Sequence, residues 1–506
     1  MNTIRKTALN TLALYVNMIV SMLANLLITR LALDSLGDIA YGVYMLSASI
    51  IAALSFLTVA MAGATQRFMS FYSGKNDMLR QQVLFSTSVY LHFFISICVL
   101  LLLIVTGTTS VFFLKIPPEL HTDAILTVLC MSLGVFVTVN AVPYEASINA
   151  HEDIYAVGLI CSGEAVLKLG ATCLLPVMGP RKMVFYALSI LVVTTIGFLA
   201  RRLFSRIHYP ECKVRGNHDP AVIRQMLSFA GWNLFGVGSS IIRYQGIAFV
   251  INPFFGVVSN AAYGVAQQLN GFLMFFANTT TRPLRPIVIK AEGSGHHQRM
   301  VQLSMTTTKM AYLLLFIPIL PLYYKMPFIL SIWLRGVPQG ALGFCRSFLI
   351  ITLISQLTIG LQIAIEGVGR IKRQQIVLGI MHLFPLPLGY IAYKNGAPMN
   401  TILELVIAEE VINIALRLYI SQKDADVNAL MFLKKATMPC VLISAATALI
   451  TLGIVSHIQG DWAQLFTSCG LCMCLVAVLT YLFALSPEER DALSQFFAKK
   501  QNGPTR

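Results

Sequence analysis

The sequence predicts an all-α polytopic membrane protein with about 14 transmembrane helices. Of its 506 residues, 56% are hydrophobic and only 12% are charged, about half the charged fraction of a typical soluble domain. Apolar runs of about 20 residues recur along the whole chain, and this is the length that a helix needs to cross the hydrocarbon of a bilayer. The period-two alternation that is typical of β-barrel strands is not visible in these runs.

The positions of the basic residues favour fourteen spans and a cytoplasmic N-terminus. The predicted spans are about 9–31, 40–63, 83–106, 124–146, 154–176, 183–204, 227–250, 257–280, 303–324, 343–366, 375–393, 399–420, 436–456 and 463–485. With the N-terminus inside, 27 of the 37 Lys and Arg residues fall in cytoplasmic segments and eight fall in outward loops. This asymmetry follows the positive-inside rule, so the net charge of +15 requires no nucleic-acid partner. We therefore expect a multi-pass protein of the inner (cytoplasmic) membrane with both termini in the cytoplasm.

A repeated order of features divides the chain into two halves. Residues 10–74 and residues 227–293 each contain an apolar run, a short link with a glycine, the tetrapeptide Ala-Tyr-Gly-Val, a second apolar run and a closing glycine. The link glycines are Gly37 and Gly256. Duplicated halves are a common architecture of transporters. The predicted domains are an N-terminal six-helix lobe (1–206), a cytoplasmic linker (207–226), a second six-helix lobe (227–424), a C-terminal helix pair (425–486) and a cytoplasmic tail (487–506).

Several basic residues lie inside or at the ends of the predicted spans, where an ionisable group costs at least about 2.5–3.5 kcal/mol. Arg243 has no acid within one helical turn, so it is either a fixed cation lining a cavity or the partner of an acid on another helix. The planar guanidinium of arginine suits phosphate recognition. Lys168 is either a second cavity cation or a local partner of Glu164, which lies four residues earlier. Four arginines at span ends either snorkel to the interface or form a basic passage for substrate: Arg30, Arg67, Arg282 and Arg285.

Carboxylates in the spans are candidates for ion coupling or for countercharges to these cations. The candidates are Glu164, Glu366, Glu404, Glu409 and Glu410. His382 lies in a span with the kink-prone Pro385 and Pro387 and is either a proton relay or a packed core histidine. No Walker lysine loop, nucleophile elbow or zinc-binding His-Glu motif is visible. We therefore predict a transporter without catalytic residues, metal ligands or a cofactor.

Several stretches of the chain carry a resemblance to a known family. They are Asn10–Gly42, Ala64–Gly74, Val142–Tyr144, Ala150–Glu152, Phe254–Gly264, Arg282–Lys290 and Trp333–Pro338. In these stretches the chain resembles the bacterial oligosaccharide flippases of the polysaccharide transporter family. That family belongs to the multidrug/oligosaccharidyl-lipid/polysaccharide exporter superfamily.

The resemblance implies two six-helix lobes around a central cavity that opens alternately to each side of the membrane. It also implies the cargo, a polyprenyl-diphosphate-linked oligosaccharide repeat unit that is moved for O-antigen, capsule or exopolysaccharide synthesis. Membrane lipid and other polysaccharide-assembly proteins are the implied partners. The diphosphate would meet Arg243, together with Lys168, Arg30 or Arg67. One departure is that the segment Arg282–Gly293 does not repeat the residue order around Arg67.

Two other functions compete with the flippase. A cation-coupled multidrug exporter of the same superfamily would need an acidic cavity for organic cations, whereas the first and seventh predicted spans contain Arg243 and no mid-span carboxylate. A membrane glycosyltransferase or ligase acting on the same lipid-linked sugars would need a large outward loop for its catalytic residues. All the predicted outward loops are short.

Overall fold

The computed structural model describes residues 3–53, 55–75, 77–113, 118–213, 219–334, 337–485 and 490, and these ranges contain helices and no strand. The helices up to the middle of the chain are α1 (Thr3–Ala53), α2 (Ser55–Gly74), α3 (Met78–Phe113), α4 (His121–Ala150), α5 (Ile154–Cys173), α6 (Lys182–His208) and α7 (Pro220–Thr281). The next helices are α8 (Arg285–Gly293), α9 (His297–Tyr324), α10 (Met326–Trp333), α11 (Ala341–Gln356), α12 (Ile359–Val368), α13 (Lys372–Met381) and α14 (Pro385–Lys394). The last are α15 (Thr401–Asp424), α16 (Ala429–Phe432), α17 (Met438–Val455) and α18 (Asp461–Leu479). Short 3₁₀ turns lie between these helices at Pro118–Leu120, Leu175–Val177 and Pro210–Cys212. One π-helical turn, Leu433–Thr437, precedes α17, and another, Thr480–Ala484, follows α18.

The predicted spans are helical over most of their length wherever the structure describes them. Within those residues, nine helices are long and apolar enough to cross a membrane, or ten if the bent pair α11–α12 is one span. The predicted class, an all-α polytopic membrane protein, is confirmed. Helix α15 is not among the nine although a span was predicted there, because it carries Glu404, Glu409, Glu410 and Arg417.

Two of the predicted spans in the second half of the chain are broken helices. A polar side chain, His382 or Thr358, lies at each break. Helix α13 ends just before His382, and α14 starts at Pro385, whose ring nitrogen cannot donate to the preceding turn. Helices α11 and α12 meet at a 45° bend next to Thr358. Broken helices at membrane depth are tolerated where the freed backbone groups are buried in protein.

The same glycine kink occurs once in each half. Helix α1 is interrupted at Gly37 (φ 76°, ψ 166°) and α7 at Gly256 (φ 76°, ψ −174°), a backbone region that is essentially restricted to glycine. The chain then runs 37 residues from Gly37 to Gly74, where α2 ends, and 37 residues from Gly256 to Gly293, where α8 ends. The two halves therefore share a backbone feature as well as an order of residues, as expected for an internal repeat.

The chain forms two compact units, and the division falls inside α7. Apart from residues 1–5, the first unit is Lys6–Leu234 with Gly293–Gly295, and the second is Phe235–Glu292 with His296–Arg506. In the first unit α4 packs against α2, α3 and α6, and in the second α9 packs against α11, α12, α17 and α18. The predicted domain boundaries stay predictions, and the predicted tail lies outside the described residues except for Arg490.

Candidate functional site

Helices α7 and α15 bring one arginine and two adjacent glutamates together in the interior of the second unit. Arg243 Nη1 donates hydrogen bonds to Glu409 Oε2 at 2.8 Å and to Glu410 Oε1 at 3.0 Å. Each of the three residues is only 3% exposed. Of the alternatives that the sequence leaves open for Arg243, this is the geometry of an ion pair between helices. Its predicted role in substrate binding stays a prediction.

The break between α13 and α14 adds an imidazole to this group. His382 Nδ1 lies 2.6 Å from Glu409 Oε1, and Asn413 Nδ2 donates to the same oxygen at 3.1 Å. Asn413 lies one helical turn after Glu409, so both side chains are on one face of α15. Single ligand atoms of His382, Glu409 and Glu410 lie within 4.8 Å of one another, a spacing that a small cation could bridge.

Arg417 supplies a second positive charge from the same face of α15. Its Nη1 donates to Thr358 Oγ1 at 2.9 Å, and its Nη2 lies 4.0 Å from Glu410 Oε2. We call the set Arg243, His382, Glu409, Glu410, Asn413 and Arg417 the buried charge cluster. Its two arginines balance its two carboxylates when His382 is neutral, so a cation entering the cluster would change its net charge.

The hydrogen bonds of the buried charge cluster are incomplete. Within the described part of the chain, Glu410 Oε2, Asn413 Oδ1 and the Nε atoms of both arginines have no hydrogen-bond partner. Buried polar atoms in native proteins are nearly always paired, and exceptions often mark sites that bind or react. An unpaired carboxylate oxygen of Glu410 is suited to accept a proton, and both it and the amide oxygen of Asn413 are suited to coordinate a small cation.

The first unit contains a second arginine with two carboxylates. Arg201 on α6 donates from Nη1 to Glu164 Oε1 at 2.6 Å, and its Nε lies 3.3 Å from Glu145 Oε2. Its Nη2 also lies 3.2 Å from Cys161 Sγ. Gly197 makes the Glu164 contact possible, because a Cβ at that position would lie 1.6 Å from Glu164 Oε1. We call Arg201, Glu145 and Glu164 the Arg201 cluster.

Lys168 lies one turn after Glu164 and is half-buried. Among the described residues no ion pair joins the two, because the Glu164 carboxylate is directed at Arg201 instead. The cavity role that the sequence predicts for Lys168 stays a prediction.

Arg67 is buried among aromatic rings of the first unit. Its guanidinium carbon lies 4.7 Å from the ring centre of Phe68, 4.9 Å from that of Phe71 and 5.6 Å from that of Phe229. Stacking on aromatic faces stabilises an arginine whose side chain is removed from water. Only 8% of Arg67 is exposed.

The other predicted site residues at span ends have varied surroundings. Arg285 pairs with Glu366 at 3.0 Å, and Arg282 is half-buried between α7 and α8. Glu404 is exposed near the start of α15. Arg30 belongs to α1, but its side chain lies outside the described residues.

The structure buries three cations that the distribution of charges along the sequence assigns to the cytoplasmic segments. Arg201, Lys309 and Arg417 are only 7–8% exposed, and Lys309 Nζ donates to the Ala484 carbonyl at 2.9 Å. All three positions fall inside predicted spans (183–204, 303–324 and 399–420). That placement was the signal that could have identified them as membrane-embedded charges.

Comparison with known proteins gives similarity in structure without detectable similarity in sequence. No protein-family model and no curated protein sequence matches the chain. The chain superposes on a MOP superfamily transporter from Pyrococcus furiosus with a TM-score of 0.71 at 11% identity, covering 84% of this chain and 96% of that one. That transporter is described as having a binding pocket of reverse polarity, which suggests a different function for it. A MATE protein in complex with MaL6 gives 0.72 at 13% identity, covering 84% and 97%.

The MATE transporter ClbM in complex with Rb⁺ gives a TM-score of 0.66 at 13% identity, covering 81% of this chain and 94% of that one. At these identities the comparison establishes the fold and leaves the cargo open. The chain has the fold of the MATE transporters of the MOP superfamily.

Proposed function

We propose that this chain is an alternating-access transporter that moves lipid-pyrophosphate-linked oligosaccharides across the membrane. The fold supports the transporter role, since it is shared with MATE and MOP superfamily transporters. The sequence resemblance to oligosaccharide flippases supports the cargo. The charges of the described spans support an anionic cargo over a cationic one.

The observation that carries this proposal is that arginines already compensate the carboxylates of the described spans, apart from the exposed Glu404. The pairs are Glu145 and Glu164 with Arg201, Glu366 with Arg285, and Glu409 and Glu410 with Arg243. An organic cation would have to displace an arginine to reach any of these carboxylates, which is costly inside a low-dielectric lobe. A diphosphate would find Lys168 half-buried and without an acidic partner among the described residues.

The proposal is tested by transport of a fluorescent polyprenyl-diphosphate oligosaccharide into proteoliposomes. We expect Lys168→Gln to lower the transport rate roughly 10-fold or more, because a hydrogen bond to a charged group contributes about 1.5–3 kcal/mol. Lys394→Gln is the matched control, since Lys394 is exposed at the end of α14. The control is expected to transport at the wild-type rate.

A second candidate function is a cation-coupled multidrug exporter, which is favoured by the carboxylates and imidazole of the buried charge cluster. Both functions can use that cluster to couple transport to a proton or a small cation. Efflux of an organic cation driven by a proton or sodium gradient, with no movement of the lipid-linked sugar, would overturn the flippase. Wild-type transport of the lipid-linked sugar by Lys168→Gln would instead remove Lys168 from the substrate path.

A further inference from the structure

A basic cavity opens in the second unit where α13 begins beside the end of α15. Its volume is about 470 Å³. It is lined by Arg370, Lys372, Arg373, Ile376, Val377 and Asp424. This cavity is separate from the residues of the buried charge cluster, and nothing in the proposed transport of sugar requires it.

The charges of the cavity favour an anion that also carries hydrogen-bond donors. Three cationic side chains and one carboxylate line it, so its formal net charge is positive. Arg373 Nη1 lies 3.2 Å from Asp424 Oδ1. The other carboxylate oxygen, Asp424 Oδ2, has no hydrogen-bond partner within the described chain, although Asp424 is only 7% exposed. A ligand that satisfies the whole cavity would therefore combine a phosphate with a hydroxyl group.

The residues around the cavity place it at the level of a membrane interface. Ile376 and Val377 form an apolar wall where the predicted eleventh span begins. On α15, Tyr419 is 53% exposed, and Lys423 Nζ lies 4.7 Å from its ring centre. Exposed tyrosines beside basic residues are typical of the boundary between headgroups and hydrocarbon. A ligand in this cavity could keep its acyl chains in the bilayer.

We propose that this cavity binds the headgroup of an anionic glycerophospholipid that carries free hydroxyl groups, with phosphatidylglycerol as the probe. The phosphate lies among Arg370, Lys372 and Arg373, as basic pockets between transmembrane helices bind lipid phosphates. A headgroup hydroxyl donates to Asp424 Oδ2. The glycerol backbone and the first methylenes contact Ile376 and Val377.

The binding is measured by native mass spectrometry of the full chain, released from phosphatidylcholine micelles that contain increasing phosphatidylglycerol. We expect one phosphatidylglycerol adduct whose apparent affinity falls roughly 10- to 30-fold in Arg370→Gln/Lys372→Gln, at about 1 kcal/mol for each basic residue removed near the lipid phosphate. The matched control is Arg299→Gln/Lys434→Gln, which removes the same two residue types from exposed positions outside the cavity. The control is expected to bind as the wild type does.

A second variant tests the hydroxyl contact. Asp424→Ala removes both acceptor oxygens, so we expect the preference for phosphatidylglycerol over phosphatidic acid, which has a phosphate but no headgroup hydroxyl, to fall several-fold. Equal binding by the wild type and Arg370→Gln/Lys372→Gln, or equal losses in both double variants, would overturn the site. Competition by glycerol 3-phosphate at the same concentration as the lipid would overturn the lipid as its ligand.

Discussion

The Arg201 cluster and the buried charge cluster have the same ingredients but different surroundings. Each places one arginine against two carboxylates, which come from α4 and α5 in the first cluster and both from α15 in the second. In the first unit the side chains of Glu145 and Glu164 are 30% and 15% exposed, whereas in the second those of Glu409 and Glu410 are both 3% exposed. The second cluster also contains an imidazole and a second arginine, Arg417.

This difference indicates that the Arg201 cluster is a structural ion pair, whereas the buried charge cluster is a site that can change its charge. The carboxylates of the Arg201 cluster are partly exposed at the protein surface, so removal of its arginine leaves charges that are less deeply buried. The carboxylates of the buried charge cluster lack that exposure, and an uncompensated charge there is strongly destabilising. A proton or cation that enters the second cluster must therefore alter its ion pairs, which is the property that an energy-coupling site requires.

The largest expected effect is a loss of stability when each arginine is removed. Arg243→Gln is expected to lower the free energy of unfolding by about 3–5 kcal/mol, because it leaves two buried carboxylates with less compensation. Arg201→Gln is expected to cost less, since its carboxylates are less deeply buried in the protein. Denaturant unfolding of the purified proteins in the same detergent measures both. Equal losses in the two variants would show that burial does not distinguish the clusters.

Part of this comparison could be predicted from the sequence. The spans, the repeat and the membrane location of Arg243 follow from apolar length and the cost of a buried charge. The partners do not, because Glu409 lies 166 residues from Arg243 and the register between two distant helices depends on packing. For the same reason the sequence does not identify the partner of Glu164. That partner is Arg201, 37 residues away, and not Lys168, which lies only four residues away.

His382 is a third example. The prolines after it predict a break, and the break is present between α13 and α14. Its contact with Glu409 depends on how closely α15 packs there, and a single sequence carries no signal for that distance.

The next effect compares the two kinks. Gly37→Ala and Gly256→Ala are each expected to cost about 1–3 kcal/mol of stability, since both backbones lie in a region that alanine avoids. A Cβ at either position would meet no atom within 4 Å, so the cost comes from the backbone alone. Thermal unfolding in detergent measures it.

The controls for the kinks are Gly163→Ala in α5 and Gly271→Ala in α7, two exposed glycines that also have free space. Both lie within helices, so alanine there is expected to be neutral or to stabilise by about 0.5–1 kcal/mol. A kink variant that behaves like its control would show that this half does not depend on its glycine. Unequal losses of stability in Gly37→Ala and Gly256→Ala would show that the two copies of the repeat do not depend equally on their kinks.

A smaller change in stability is expected from His382 and His151, two of the described histidines that contact carboxylates. His382→Gln keeps an N–H donor near Glu409, so it is expected to cost about 1 kcal/mol or less. It removes the imidazole of the buried charge cluster, the type of side chain that most often acts as a proton carrier in proteins. If the cluster couples transport to protons, the dependence of transport on pH should flatten in His382→Gln and persist in His151→Gln. The opposite result would move the coupling site to the first unit.

The smallest effect concerns the His151–Glu211 pair of the first unit, which lies outside the predicted spans. Glu211 is 1% exposed, and burial alone would raise its pKa, but the hydrogen bond and charge of His151 outweigh burial and lower the pKa below its ordinary value of 4.5. A carboxylate with a lowered folded-state pKa contributes stability above its unfolded pKa and loses it as the pH falls through the folded value. The wild type should therefore lose unfolding free energy below pH 4.5 more steeply than His151→Gln, in which the charge of His151 no longer offsets the effect of burial on Glu211. Other carboxylates contribute equally to both proteins, so the difference between the acid titrations of the wild type and His151→Gln reports on this pair alone. Parallel curves of unfolding free energy against pH would show that His151 does not stabilise the Glu211 carboxylate.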